Sequence, residues 1–150
     1  MKKVLFLDID GVLNSLKYDR ERGPNDGNID ESRLPLLKRL VDETASVIVL
    51  SSSWRKHLCG DDPIGQELIR TFDKYGLTVA DKTPILDGSD RAEEIRSWLV
   101  EHAEEVEEFV IFDDIVFGWG DLSEHLVRTD ARIGRGLEEV HIQKAKMLPK

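Results

Sequence analysis

The chain has 150 residues, 40% of them hydrophobic and 34% charged, with a formal net charge of −9. That length suits one domain around one core, and the balance of apolar and charged residues excludes both a disordered chain and a membrane-embedded one. The acidic excess argues against a non-specific grip on nucleic acid or an anionic membrane, because phosphates repel it unless a basic patch is set apart.

Met1-Lys2-Lys3 runs straight into Val4-Leu5-Phe6-Leu7, which is shorter than the apolar core of a signal peptide. No apolar run approaches the roughly 18 residues of a spanning helix, so a cytoplasmic chain without a membrane partner is expected. Cys59 is the single cysteine; it can make no internal disulfide, and no Cys/His spacing of a zinc site exists. A metal, if one is used, is therefore held by oxygen.

The first strand is expected at residues 3–8, followed by a Gly-, Asn-, Asp- and Arg-rich loop at 20–28. Residues 31–44 place Leu34, Leu37, Leu40 and Val41 on one helical face, with Asp30 or Ser32 as N-cap. A second strand at 46–51 leads to a helix at 63–75, patterned through Ile64, Leu68, Ile69 and Phe72 and stopped by Gly76. A weak strand at 77–80 precedes a helix at 90–102 with Ala92, Ile95, Trp98 and Leu99 on its apolar face. Glu101, Glu104, Glu105, Glu107 and Glu108 then read as the solvated end of that helix. Strands at 109–113 and 126–129 and a last helix at 136–147 complete the chain. Continuous apolar runs such as Val47-Ile48-Val49-Leu50 suit central parallel strands covered on both faces. The expected fold is α/β, a doubly wound, mostly parallel, Rossmann-like sheet forming a single domain over 1–150.

In such sheets the ligand lies beyond the carboxyl ends of the strands. The first strand ends in Asp8-Ile9-Asp10-Gly11, the second in Ser51-Ser52-Ser53-Trp54-Arg55 and the fourth in Asp113-Asp114. Residues two apart in an extended strand point the same way, and two close carboxylates repel unless a cation or a proton lies between them. Asp113 and Asp114 add to that cluster, and hard oxygen ligands in such number suit Mg²⁺, which commonly bridges to a phosphate oxygen. A Ser hydroxyl and backbone N–H groups at the next strand end are the donors a phosphate needs.

Asp8-Ile9-Asp10-Gly11-Val12-Leu13-Asn14 resembles the first motif of the haloacid dehalogenase (HAD) superfamily, and the Ser after the second strand, the basic residue opening a later helix and the Asp-Asp pair resemble its other motifs. The wording Val-Leu-Ser-Ser-Ser-Trp-Arg, with Asp90-Arg91-Ala92-Glu93-Glu94-Ile95 and Trp98-Leu99, is further similar to the short, nearly cap-less branch related to phosphatase-like domains of RNA repair proteins. The resemblance implies a phosphatase in which Asp8 is the nucleophile, forming an aspartyl-phosphate, and Asp10 the general acid and base. It implies Mg²⁺ on Asp8, the Asp10 backbone carbonyl and Asp114, with Asp113 in support. Ser51 or Ser52 would bind the phosphoryl group: Ser51 follows the apolar run directly, whereas Ser52 aligns better from Trp54. Arg91 is the matching cation, with Lys82 its competitor.

Asp-x-Asp-Gly also occurs in calcium loops, but no downstream Glu completes one here and a strand, not a helix, precedes it. A receiver-like signalling domain would carry its adjacent acidic pair after the first strand, whereas here it follows the fourth. A family member that binds phosphate without turnover is disfavoured by intact Asp8 and Asp10. Trp98 reads as core; Trp54, Phe117 and Trp119 follow site-forming strand ends and are open to either substrate stacking or rim packing. The four histidines lack paired ligand spacing and read as surface or capping residues. The segments 15–28 and 56–88 are too short for a large cap, and the resemblance associates open sites with large substrates such as phosphorylated protein or nucleic acid ends. The partner expected is a phosphorylated substrate of open size; the acidic charge weakens nucleic acid without removing it, and oligomeric state is not encoded in these patterns.

Overall fold

The computed structural model describes residues 2–15, 29–58, 60–86, 88, 90–116, 118–132 and 134–148; the loop expected at 20–28, Cys59 and Phe117 lie outside them. Among the described residues five strands form one parallel sheet, β1 (Lys2–Leu7), β2 (Ser46–Leu50), β3 (Val79–Lys82), β4 (Val106–Asp113) and β5 (Leu126–Arg128), in the order β3-β2-β1-β4-β5. The helices are α1 (Leu34–Thr44), α2 (Pro63–Lys74), α3 (Arg91–Glu101) and α4 (Glu139–Met147), with 3₁₀ turns at Glu31–Arg33, Ser53–His57 and Gly120–His125.

β1 is apolar on both faces because helices cover both. Leu5 and Leu7 pack with Leu34, Leu37 and Leu40 of α1, Leu68 and Phe72 of α2 and Ile142 of α4. Val4 and Phe6 turn the other way, onto Ala92, Ile95 and Trp98 of α3 and Trp119 and Leu122. Phe6 meets Trp98 edge-on at 5.4 Å between ring centroids, a favoured aromatic geometry. Each such fully buried side chain contributes about 1.5–3 kcal/mol relative to exposure.

Several boundaries differ from those read off the sequence. Asp30 caps the 3₁₀ turn Glu31–Arg33, its carboxylate accepting from Ser32 N–H, and those three residues precede α1 proper. In α2 only part of the expected stripe is covered: Leu68 and Phe72 are buried, whereas Ile64 and Ile69 are 43% and 39% exposed. Leu77 N–H still closes the end of α2 on Phe72 O, so β3 starts two residues later than expected. Of the acidic run only Glu101 ends the helix, as the last residue of α3. Glu104 and Glu105 lie in a turn, and Glu107 and Glu108 belong to β4, where Glu108 pairs with Lys3 of β1 at 3.3 Å; pairing with β1 extends the strand beyond its apolar run. α4 starts at Glu139 because the N–H groups of Gly136 and Leu137 are used on Asp130 O and Val12 O, and Glu138 and His141 form its capping box.

Topology places the site. The crossovers run outward from β1 to β2 and β3, then return to its other side at β4, so the chain changes direction beside β1 and opens a crevice at its carboxyl end. Leu7 is in register with Leu50 on one side and Phe112 on the other. Asp8, Ser51 and Asp113 therefore stand side by side. Residues 56–88 supply α2 and β3 of the sheet itself, and no separate cap layer exists among the described residues. No helix is long and apolar enough to cross a membrane among those residues.

Candidate functional site

β1 stops at Leu7 and the backbone turns at once, with the N–H groups of Val12 and Leu13 donating to Ile9 O. The turn overturns the expectation that the Asp8 and Asp10 side chains point the same way. Asp8 is buried, whereas Asp10 is exposed, so the two carboxylates meet different surroundings. Carboxylate oxygens of Asp8, Asp113 and Asp114 all lie within 4.8 Å of one another; the Asp10 side chain is not one of that group.

Arg91, the first residue of α3, reaches into this cluster. Its Nη1 donates to Asp113 Oδ2 at 2.7 Å and stands 3.2 Å from Asp8 Oδ2. Lys82, the alternative, instead donates to Leu58 O from an exposed position on the edge strand. One guanidinium against three carboxylates leaves two negative charges uncompensated when all are ionised. Burial first, then the charge of Asp113, push the Asp8 carboxyl up to about 8 from 3.8, with Arg91 pulling in the opposite direction. Burial, then Asp113, also raises Asp114. Burial disfavours the charge on Arg91, but Asp8 and Asp113 outweigh it and hold the guanidinium above its usual range. A compact set of hard oxygens lacking two positive charges fits a divalent cation.

Asp113 is fully buried, its Oδ1 accepting from Ile115 N–H at 3.0 Å, so it is anchored on two sides. Asp114 is half-buried and lies against Gly11, whose φ of +87° and lack of a Cβ bring the two together.

At the end of β2 the two candidate serines differ. Ser52 Oγ accepts from Trp54 N–H at 3.1 Å and caps the Ser53–His57 turn. Ser51 is fully buried, and its Oγ has no hydrogen-bond partner among the described residues. A buried hydroxyl at the row of Asp8 and Asp113 without a partner is suited to an incoming acceptor.

Trp54 is not a stacking surface. It is only 7% exposed, and its indole Nε1 donates to Asp10 Oδ2 at 3.2 Å. Trp119 is 3% exposed, inside the second core cluster, with its indole donating to Ile115 O. Trp98 is core, as expected. His57 pairs with Asp62, His102 stacks on Trp98, His125 stacks on Phe109 and His141 caps α4.

Four residues that sequence reasoning did not single out hold the site together. Asn14 Nδ2 donates to Asp10 Oδ1 at 3.0 Å and its Oδ1 accepts from Gly11 N–H. Thr129 Oγ1 donates to Gly11 O at 2.7 Å. Arg55 Nη1 donates to the carbonyls of Ser51 and Ser52, and its Nη2 pairs at 2.6 Å with Glu94 of α3. Glu94 also accepts from Leu86 N–H. The sequence carried no signal for Glu94, which stands beside Glu93 in the charged first turn of α3, where helical spacing allows it to be solvated as readily as buried.

A family model described as the HAD domain in Swiss Army Knife RNA repair proteins matches residues 4–142. No curated protein matches the sequence.

Proposed function

Since the chain belongs to the HAD superfamily, in the family of HAD domains of Swiss Army Knife RNA repair proteins, we propose that it is a Mg²⁺-dependent phosphomonoesterase that works through an aspartyl-phosphate on Asp8. The observation that carries this reading is the convergence of Asp8, Asp113 and Asp114 with Arg91 at the carboxyl ends of β1 and β4.

Asp8, Asp114 and Asp113 would hold the metal, with the Asp10 backbone carbonyl as a further oxygen; the ion supplies charge neutralisation where an anionic phosphoryl group meets an anionic nucleophile. Asp8 attacks phosphorus in line, so that an Asp8 O–P bond forms as the bond to the leaving oxygen breaks, and Asp10 gives its proton to that oxygen. In the second half Asp10 takes a proton from water while the water oxygen bonds to phosphorus and the Asp8 O–P bond breaks. Arg91 binds phosphoryl oxygens with a charge that persists at any working pH, and Ser51 donates to another.

The family's place in RNA repair proteins, and a site that no cap layer covers among the described residues, favour end-phosphorylated nucleic acid as the substrate, against which stands the net charge of −9. The test is hydrolysis of small phosphate esters, phosphopeptides and end-phosphorylated oligonucleotides with Mg²⁺ and with chelator, together with trapping of a hydroxylamine-sensitive phosphoenzyme. Turnover that needs Mg²⁺ and is lost in Asp8→Asn is expected. No turnover of any class across millimolar Mg²⁺ refutes the assignment.

A further inference from the structure

We propose that Trp54 and Asn14 are positioning residues that clamp the Asp10 carboxylate from both sides, so that the general acid of the reading above is aimed by a residue of a different strand end. Asp10 is exposed and lies within a tight turn, where an aspartate ordinarily samples several rotamers. Here each oxygen has its own donor: Trp54 Nε1 at 3.2 Å on Oδ2 and Asn14 Nδ2 at 3.0 Å on Oδ1. Rotation of the carboxylate about its Cβ–Cγ bond breaks both contacts at once.

The two donors are themselves fixed. Asn14 is tied through its Oδ1 to Gly11 N–H, which sets its amide so that Nδ2 faces Asp10. Trp54 is buried in the main core, and its backbone N–H is held by the Ser52 hydroxyl. Its indole N–H can donate to one acceptor only, and the one it meets is an exposed carboxylate 44 residues away in sequence. A buried indole N–H needs an acceptor, and the acceptor here is the carboxylate to which the proton transfer is assigned. The contact joins the β1 loop, which carries the nucleophile, to the β2 loop, which carries the phosphate-binding hydroxyl. Positioning of this kind acts on the step that needs the acid, because misplacement of a reacting group by about 1 Å costs on the order of 100-fold.

The inference rests on Asp10 acting as general acid, and the experiment separates the two claims. Rates are measured with an alkyl phosphate, whose leaving group needs a proton, and with 2,4-dinitrophenyl phosphate, whose leaving group does not. The variants are Asp10→Asn, Trp54→Phe and Asn14→Asp, the last two alone and combined with Asp10→Asn, each checked for its thermal transition. Trp54→Phe keeps an aromatic ring in the core and deletes the donor. Asn14→Asp keeps the acceptor for Gly11 N–H and turns a repelling oxygen toward Asp10, so it tests the clamp even where Trp54→Phe loosens the core.

Trp54→Phe and Asn14→Asp should each lower the alkyl-to-dinitrophenyl rate ratio by about tenfold, through kcat with KM held, the upper end for losing one hydrogen bond. In the Asp10→Asn background neither should lower it further. If Asp10→Asn lowers the ratio while Trp54→Phe and Asn14→Asp leave it at the wild-type value, the clamp is refuted and the role of Asp10 stands. An equal loss on both substrates that persists without Asp10 also refutes it, since that is the mark of a merely structural role. A wild-type ratio in Asp10→Asn itself removes the general acid, and the clamp with it.

Discussion

Gly11 and Asp114 are packed so closely that a Cβ built on Gly11 would stand 2.2 Å from Asp114 Oδ2. The glycine of the Asp-x-Asp-Gly turn thus has two duties. It adopts a φ of +87°, and it leaves the space in which one carboxylate of the acidic cluster sits. The neighbouring loop has a natural control in Gly118, with a similar φ of +91° and nothing within 4 Å of its built Cβ.

Gly11→Ala should therefore lose more than Gly118→Ala. Left-handed backbone at a non-glycine residue costs about 1–3 kcal/mol, and both variants bear it. Only at position 11 must Asp114 also move, so only Gly11→Ala should lose the Mg²⁺-dependent rise in melting temperature, in common with Asp114→Ala. Thermal melts with Mg²⁺ and with chelator decide it, and a normal Mg²⁺ shift in Gly11→Ala would take Asp114 out of the metal site.

Asp8 links stability to pH. Its folded carboxyl is pushed up to about 8 from an ordinary 3.8 by burial and then by Asp113. Between about pH 4 and pH 8 the unfolded chain has already released this proton while the folded chain retains it, so metal-free stability falls as pH rises through that window and levels off above it. Asp8→Asn carries no such proton and should be the more stable protein in chelator near pH 8, by a margin that shrinks toward pH 4. Because a cation must displace the proton, Mg²⁺ should stabilise wild-type protein more at high pH than at low. A margin between Asp8→Asn and wild type that does not change with pH would overturn this account.

The two serines should separate by what they lose. Ser52→Ala removes the cap on the turn that carries Trp54 and should cost about 1 kcal/mol. Ser51→Ala removes a buried hydroxyl with no partner and should cost no stability, while raising both KM and the inhibition constant of inorganic phosphate. The reverse pattern in phosphate affinity would assign the phosphoryl contact to Ser52.

Arg55 and Glu94 are 5% and 8% exposed and form an ion pair that ties the β2 loop to the helix bearing Arg91. Breaking a buried pair from one side strands the other charge and typically costs about 3–5 kcal/mol. Arg55→Ala should lower the denaturation midpoint by that order and also release the Ser51 and Ser52 carbonyls. Arg55→Lys, which keeps the charge but cannot bridge Glu94 and both carbonyls with one planar fork, should recover part of the stability and less of the activity. A midpoint unchanged in Arg55→Ala would show that the pair contributes nothing to holding the loop.

The alternation of apolar runs and helical stripes was enough for the doubly wound sheet, because burial on one face or two imposes periods that survive in one dimension. Strand ends carrying Asp8, Ser51 and Asp113 followed from the same pattern, since parallel strands in register must end together. Tertiary structure alone decided between Arg91 and Lys82, since both lie near strand or helix ends and only the path of the chain brings one of them to Asp8. It alone turned Trp54 inward as a donor to Asp10, buried Glu94 against Arg55 and placed Glu107 and Glu108 of the acidic run in β4. These are contacts between residues far apart in sequence, set by register and packing across elements. A local pattern records which residues are polar or apolar, but not which distant partner satisfies them.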